Sequence, residues 1–459
     1  MLDKQRLRFG FGHSISCPVL FRACPLGWRS EAERGVQAIN RTKGHGKKAA
    51  GGEGVAILQI IPNMESGGAE KSVIEIASAL TRIGARALLA SGPGRLIGEF
   101  QALGGEWVPF AAATKNPLRL IFNALRLARL IRREKISLIH ARSRAPAWSA
   151  LAAARITGIP FVTTNHGAHS YSGRLKRLYN SVMARGDLVI ANSHYTASQL
   201  RRHHPIAQDR LVVVHRGVDI AAFDPQAISR QRLFALRERW GLESSPARVI
   251  LLPARLSPRK GHDIAIAAMA LLPAGLREGL VMLFLGEDQG RNEHSRRIRE
   301  LIAAAGLEGR IRMAGHCADM PAAYALADLV LIPSTEPEAF GRAAAEAQAI
   351  GVPVIASDLG AVAETVLAPP GVAAGEATGW RVPAGDPAAL AAAMNEALSL
   401  DPAARAALIA RGQAHARAHF SLARMTFATL AVYDRLLGTG LAGRLGALGK
   451  AGGGGEGDV

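Results

Sequence analysis

Residues 329–356 read Leu-Val-Leu-Ile-Pro-Ser-Thr-Glu-Pro-Glu-Ala-Phe-Gly-Arg-Ala-Ala-Ala-Glu-Ala-Gln-Ala-Ile-Gly-Val-Pro-Val-Ile-Ala. The apolar run 329–332 stops at Pro333 and a polar loop, the form of a short strand buried on both faces. A helix is expected to begin near Phe340 and to close at Gly351, where glycine supplies the left-handed residue that ends helices. A second apolar run, 354–356, follows directly. Strand, helix and strand in so short a span form a βαβ unit, and its two strands are parallel.

The unit repeats in both directions. Toward the carboxyl end the apolar runs are 249–252, 280–285, 311–313, 329–332, 354–356 and 380–382; an earlier series occupies 55–61, 87–90, 137–140, 161–164, 188–191 and 211–214. Helix-length amphipathic stretches separate them. A polar, helix-like stretch around 222–246, with Asp224-Pro225 and Ser244-Ser245-Pro246, divides the two series and reads as a linker. The expected fold class is therefore α/β, with two doubly wound parallel-sheet domains facing across a cleft. The assigned segments are a disordered basic leader at 1–53, a first domain at 54–225 and a second at 226–417. A terminal helix at 418–438 and a Gly-rich tail at 439–459, which contains Gly452 to Gly455, complete the chain. Ligands of such sheets bind at the carboxyl ends of the strands, so the active site is expected between the domains.

Composition narrows the function classes. The chain has 459 residues, 49% of them hydrophobic and 20% charged, which excludes a disordered scaffold. Three cysteines, Cys17, Cys24 and Cys317, build no disulfide framework and match no zinc-ligand spacing. No run approaches the ~18 apolar residues of a spanning helix, and residues 1–30 lack the apolar core of a secretory signal. The net charge of +19 attracts phosphates, anionic lipid or nucleic acid without choosing among them.

The chemistry-bearing residues lie where the strands end. Glu338 precedes the helix and Glu346 lies inside it, and the backbone N–H groups at Phe340, Gly341 and Arg342 form an anion-binding helix start. Two carboxylates flanking phosphate-binding amides suit a nucleotide sugar. Taken alone, a helix-capping acid at Glu338 and a solvated-face acid at Glu346 explain the pattern more simply. The loop Pro253-Ala254-Arg255-Leu256-Ser257-Pro258-Arg259-Lys260-Gly261 offers a forked guanidinium and a point charge, a suitable pair for a diphosphate, although a solvated basic loop has the same composition. Gly67 and Gly68 stand between the first strand and the first helix, without the G-x-G-x-x-G that nicotinamide or flavin binding needs. Thr163-Thr164-Asn165-His166-Gly167 ends another strand of the first series.

Glu338-x7-Glu346 with its internal Phe-Gly, followed by Ala-x-Gly-Val-Pro-Val-Ile-Ala-Ser, resembles the nucleotide-sugar signature of retaining glycosyltransferases of family 4, which have the GT-B fold. Arg255-x4-Lys260-Gly261 is similar to that family's phosphate clamp, and Gly67-Gly68-Ala69-Glu70 to its glycine turn. The resemblance runs from about residue 55 to 437. It implies that Glu338 and His166, as catalytic residues, contact the transferred sugar. It also implies that Gly67, Gly68, Arg255, Lys260, Phe340, Gly341, Arg342 and Glu346 bind the donor, with Glu346 on the ribose. His140, His169 and His215 are less certain neighbours of the site. Asn192-Ser193 and Arg216-Gly217-Val218-Asp219 match strand-end segments of the family and read as cleft lining or packing, and Gly286-Glu287-Asp288 as a loop near the base or phosphates. No cofactor and no metal is implied; the sequence contains no Asp-x-Asp pair. Retention by front-face attack needs no protein nucleophile.

The implied partners are a nucleotide sugar and a glycan or lipid-linked acceptor, in bacterial lipopolysaccharide or other surface-glycan synthesis. The implied location is the cytoplasm, with peripheral contact to the inner membrane. The stretch 117–133 sets Leu118, Leu120, Ile121, Phe122, Leu125, Leu127, Leu130 and Ile131 against Arg119, Arg126, Arg129, Arg132 and Arg133, behind an Asn116 cap and Pro117 at the first helical position. Such a helix can lie in a membrane interface, but its apolar residues run nearly all round, which favours burial against the domain. Arg174, Lys176 and Arg177 add a second basic cluster. A sugar-nucleotide epimerase or phosphorylase on the same fold is the alternative enzyme. A basic nucleic-acid-binding protein is the alternative of another class, disfavoured by 5% aromatic residues and no recognition motif.

Overall fold

The computed structural model describes residues 54–65, 67–167, 173–242, 247–288, 290 and 292–452. The expected leader, 1–53, and His169 lie outside them. The first sheet contains β1 (Ala56–Ile60), β2 (Arg86–Ser91), β3 (Glu106–Pro109), β4 (Leu138–Ala141), β5 (Phe161–Asn165), β6 (Leu188–Ala191) and β7 (Leu211–Val213). Its strand order is β3-β2-β1-β4-β5-β6-β7, and every pairing is parallel. The second contains β8 (Arg248–Pro253), β9 (Leu280–Leu285), β10 (Ile311–Gly315), β11 (Leu329–Ile332), β12 (Val354–Ser357) and β13 (Trp380–Val382), in the order β10-β9-β8-β11-β12-β13, again all parallel. β1, β4, β5, β6, β9, β11 and β12 are buried along their whole length, as unbroken apolar runs require when helices cover both faces.

The order reverses between β1 and β4 in the first sheet and between β8 and β11 in the second. At such a switch point neighbouring loops leave in opposite directions and open a crevice. Each domain has one.

The terminal helix Leu422–Leu437 packs into the first domain, where Met425, Leu430, Val432 and Tyr433 join the core cluster of β1 and β2. The stretch read as a helix-like linker forms the helix Arg230–Arg239, and Phe223, Leu236 and Trp240 join the core of the second domain. The tail reading is corrected in part, because Leu441–Gly452 form a helix whose Leu441 and Ala442 are buried against the first domain. The strand β3 was not legible. It is a four-residue edge strand, exposed at Glu106 and Pro109 and half-buried between them, so it lacks the continuous apolar run of a buried strand.

The helix Pro117–Arg133 starts as expected, with Asn116 Oδ1 accepting the backbone N–H groups of Leu118 (3.0 Å) and Arg119 (3.3 Å). Burial of its apolar residues holds only for the inner stripe, Ala124, Leu127, Ala128, Leu130 and Ile131. Leu118, Ile121, Phe122 and Leu125 face solvent, Leu118 at 77% exposure.

Candidate active site

A cavity of about 290 Å³ opens at the β8/β11 switch point. Its floor is the end of β8 and the loop beyond it, Leu252 to Arg255, and the end of β11, Leu331 to Ser334; its wall is the start of the helix Arg342–Ile350. Arg255, Lys260, Glu338, Gly341, Arg342 and Glu346 all line it. Two glycines make this possible. Gly261, at φ +65°, ends the Pro258–Lys260 turn, and a Cβ there would lie 1.8 Å from the Pro333 carbonyl oxygen, so the lysine loop reaches the β11 loop only through glycine. Gly341, at φ +84°, is the left-handed residue that turns the Glu338 loop into the helix.

Inside the cavity the expected ligands are held by one another. Lys260 Nζ lies 2.5 Å from Glu338 Oε1, and the Ser334 hydroxyl donates to the same oxygen at 2.5 Å. Burial alone would raise the Glu338 carboxyl, but the Lys260 ammonium and the two donated hydrogen bonds hold it below the usual carboxylate range. Arg342 Nε donates to Glu346 Oε1 at 2.8 Å, and its Nη2 donates to Glu75 Oε1 of the first domain at 3.0 Å. The buried Tyr324 hydroxyl donates to Glu346 Oε2 at 3.1 Å. Burial opposes the charge on Arg342, yet the two carboxylates keep it firmly protonated.

Phe340 is expected to offer its backbone N–H, and its ring lies elsewhere. Its side chain is 3% exposed and sits in the core of the second domain, 5.3 Å from the Phe420 ring and 6.0 Å from the His215 ring, and it does not line the cavity. Gly67 and Gly68 begin the first helix, Gly68–Arg82, as expected, but they line neither this cavity nor the one in their own domain; the Gly68 carbonyl accepts a hydrogen bond from the buried Arg216. Gly286-Glu287-Asp288 also lies outside the cavity lining. Glu287 instead pairs with Arg95 of the first domain at 3.2 Å.

His166 follows β5 and lines a cavity of about 390 Å³ at the β1/β4 switch point, together with Asn63, Glu65, Glu70, Arg142 and Arg144. Arg142 is buried; its Nε donates to Gln59 Oε1 at 2.7 Å, and its Nη2 has no hydrogen-bond partner among the described residues. His140 is structural. It is buried between the Tyr433 hydroxyl and Thr164 Oγ1, both at 2.7 Å, and burial lowers its pKa well below the ordinary value, so the ring is neutral. Ser193 Oγ donates to the Ala339 carbonyl at 2.6 Å, and Val218 bridges to Ser421, so both segments pack the domains together. Glu75, Tyr324, Ser334, Arg142 and Arg144 were not singled out from sequence. Ser334 had a usable signal, its position just beyond a strand end; Glu75 sits mid-helix, and only the folded chain brings it to Arg342.

Two parallel-sheet domains, each with a crevice at the carboxyl ends of its strands, define the GT-B class of enzymes. Residues 66–222 match the family model described as Glycosyltransferase Family 4, and residues 237–415 that described as Glycosyl transferases group 1. A glycosyltransferase structure from Rickettsia africae is 30% identical, with a TM-score of 0.75 over 83% of this chain and 98% of that one. The Anabaena protein HepE, solved in complex with UDP and glucose, is 25% identical with a TM-score of 0.71 over 83% of this chain and all (100%) of its own. The D-inositol 3-phosphate glycosyltransferase of Salinispora tropica is 35% identical over 260 residues, 55% of this chain and 52% of that protein. The chain spans about half the length of the curated relatives it matches. It belongs to the group 1 glycosyltransferases of the GT-B fold.

Proposed function

We propose that the chain is a retaining glycosyltransferase that moves a sugar from a nucleoside-diphosphate sugar, bound at the β8/β11 crevice, to a glycan or lipid-linked acceptor held by the first domain. The observation that carries this reading is the convergence of Arg255, Lys260, Glu338 and Glu346 on one cavity. Arg255 and Lys260 supply two cations for the departing diphosphate, a fixed charge arrangement of the kind that dominates such steps, and the site then needs no metal to neutralise it. Glu338 accepts from sugar hydroxyls, Glu346 from the ribose, and His166 meets the sugar from the first domain. The UDP complexes of the Anabaena relative support this class of donor.

Arg142 and Arg144 in the first-domain cavity suit an acceptor bearing an anionic group. The exposed apolar residues of the helix Pro117–Arg133 suit a lipid surface. So do Leu175 and Leu178 on the helix Arg174–Asn180, and each set stands among arginines and lysines. Both helices rest on the helix Arg144–Thr157, where Ser149 Oγ donates to the Leu120 carbonyl and Trp148 Nε1 to that of Tyr179. No helix among the described residues is long and apolar enough to cross a membrane. These features favour surface-glycan or lipopolysaccharide synthesis at the cytoplasmic face of a membrane.

The test is thermal stability with UDP, GDP, ADP and dTDP in turn, on the wild type and on Glu346→Ala. A ligand that binds only the folded state raises its stability. One nucleotide stabilising the wild type and not the variant is the expected result. No response to any nucleotide refutes the donor site.

A further inference from the structure

A second cluster of ionisable side chains occupies the joint between the domains. His194 begins the helix His194–His203, His215 follows β7, and Glu364 lies in the short helix Val362–Thr365 of the second domain. Glu364 Oε2 faces His215 Nε2 at 2.8 Å and accepts the His194 backbone N–H at 2.8 Å, while Oε1 accepts that of Tyr195 at 2.8 Å. One ligand atom from each of His194, His215 and Glu364 lies within 4.8 Å of the other two. Capping of the His194–His203 helix accounts for the two amides on Glu364. The His194 ring packs against that of His215, 5.4 Å between centroids, so two imidazoles and a carboxylate meet at one point.

We propose that His194, His215 and Glu364 bind a divalent transition-metal ion of the zinc type, which clasps the two domains together. Two imidazole nitrogens and a carboxylate oxygen are a donor set that such ions favour, and three protein ligands leave a fourth position for water. The amides also orient the carboxylate, as outer-shell donors do at metal sites. The ligand arms of a zinc ion are about 2.0–2.2 Å long, so the His215–Glu364 contact has only to open slightly to admit it.

His194 is exposed and gives solvent access, while His215 and Glu364 are partly buried. The remaining groups around the cluster are Arg201, His415, whose Nε2 lies 3.1 Å from the Glu364 carbonyl oxygen, and His419, whose ring is 5.0 Å from that of His415. Two ligands come from the first domain and one from the second, so the bound ion resists their separation. The site stands behind the donor loop, because the Phe340 ring packs 6.0 Å from His215. The ion is structural and takes no part in sugar transfer, so this inference stands apart from the proposed reaction.

The experiment uses the full chain, stripped with a chelator and titrated with Co²⁺ as an optical stand-in for Zn²⁺. One equivalent should develop the visible d–d bands of a four- or five-coordinate site and raise the melting temperature, and Zn²⁺ should bleach the bands. His194→Ala alters an exposed side chain, and Glu364→Gln preserves size and a cap for the helix; each should lose the bands and weaken binding at least ~10-fold, the loss expected when a supporting or ligating group is removed. His203→Ala, on the same helix but outside the cluster, should keep them. Absence of bands in the wild type, or their persistence in either His194→Ala or Glu364→Gln, overturns the site.

Discussion

Removing the Lys260 ammonium should leave Glu338 as an uncompensated acid, and the consequence depends on pH. The two side chains are 27% and 19% exposed at a separation of 2.5 Å. Exposed pairs contribute ~0.2–1 kcal/mol, and breaking a fully buried pair costs ~3–5, so Lys260→Met should cost about 2 kcal/mol at neutral pH. In the wild type the Glu338 carboxyl titrates below its unfolded value, so its contribution to stability is present above that value and is lost as pH falls through the folded one. In the variant burial dominates, the folded carboxyl titrates above its unfolded value, and the penalty grows as pH rises. The deficit should therefore be small near pH ~4 and largest above pH ~7. Urea unfolding of the wild type, Lys260→Met and Lys260→Met/Glu338→Gln across that range reads it directly. The double variant should recover most of the stability while staying defective in donor binding. A deficit that does not change with pH, or a double variant no more stable than the single one, refutes the pairing argument.

Gly261→Ala forces a Cβ onto the Pro333 carbonyl at a residue with φ +65°, and should lower unfolding stability by ~2 kcal/mol or more, measured by chemical denaturation. His166→Ala should reduce kcat by ~10²-fold, as loss of a hydrogen bond made to the reacting group does, with little change in donor affinity; an equal loss of nucleotide binding contradicts its first-domain role. Leu118→Asp/Phe122→Asp changes residues 77% and 59% exposed, so melting temperature should stay unchanged while co-sedimentation with anionic vesicles falls at least ~10-fold. Retained vesicle binding excludes that face as the membrane contact.

The parallel sheets were legible because strands buried on both faces leave unbroken apolar runs, and every run of the second series corresponds to an observed strand. The edge strand β3 escaped because it is short and none of its four residues is fully buried, so it leaves no apolar run. Among site residues, Arg255, Lys260, Glu338, Gly341, Arg342 and Glu346 were legible from loop position and motif, and they share one cavity. At Phe340 the backbone was assigned to the ligand, and the ring it leaves over fills the core of the second domain. The helix Pro117–Arg133 misleads. Its apolar residues serve two surfaces, and a periodicity count cannot divide an all-round pattern into the stripe that packs and the stripe that does not.

The loop proposed to hold the donor is also one of the surfaces by which the second domain holds the first. Ala339 accepts the hydroxyls of Ser193 and Thr196, Phe340 packs against His215, and Arg342 reaches Glu75, all within four consecutive residues of a loop that frames the cavity. A movement that separates the domains must therefore disturb this loop. Arg342 carries the coupling, because it is shared between Glu75 of one domain and Glu346 of the other while its Nη1 has no hydrogen-bond partner. A diphosphate arriving at the cavity meets a cation with an unused donor and competes with Glu75 for it. If it wins, the grip on the first domain loosens as the donor binds; if Nη1 alone turns to the phosphate, binding tightens the grip. A double-mutant cycle between Glu75→Gln and donor binding separates the two, since nucleotide affinity rises on removing Glu75 in the first case and falls in the second.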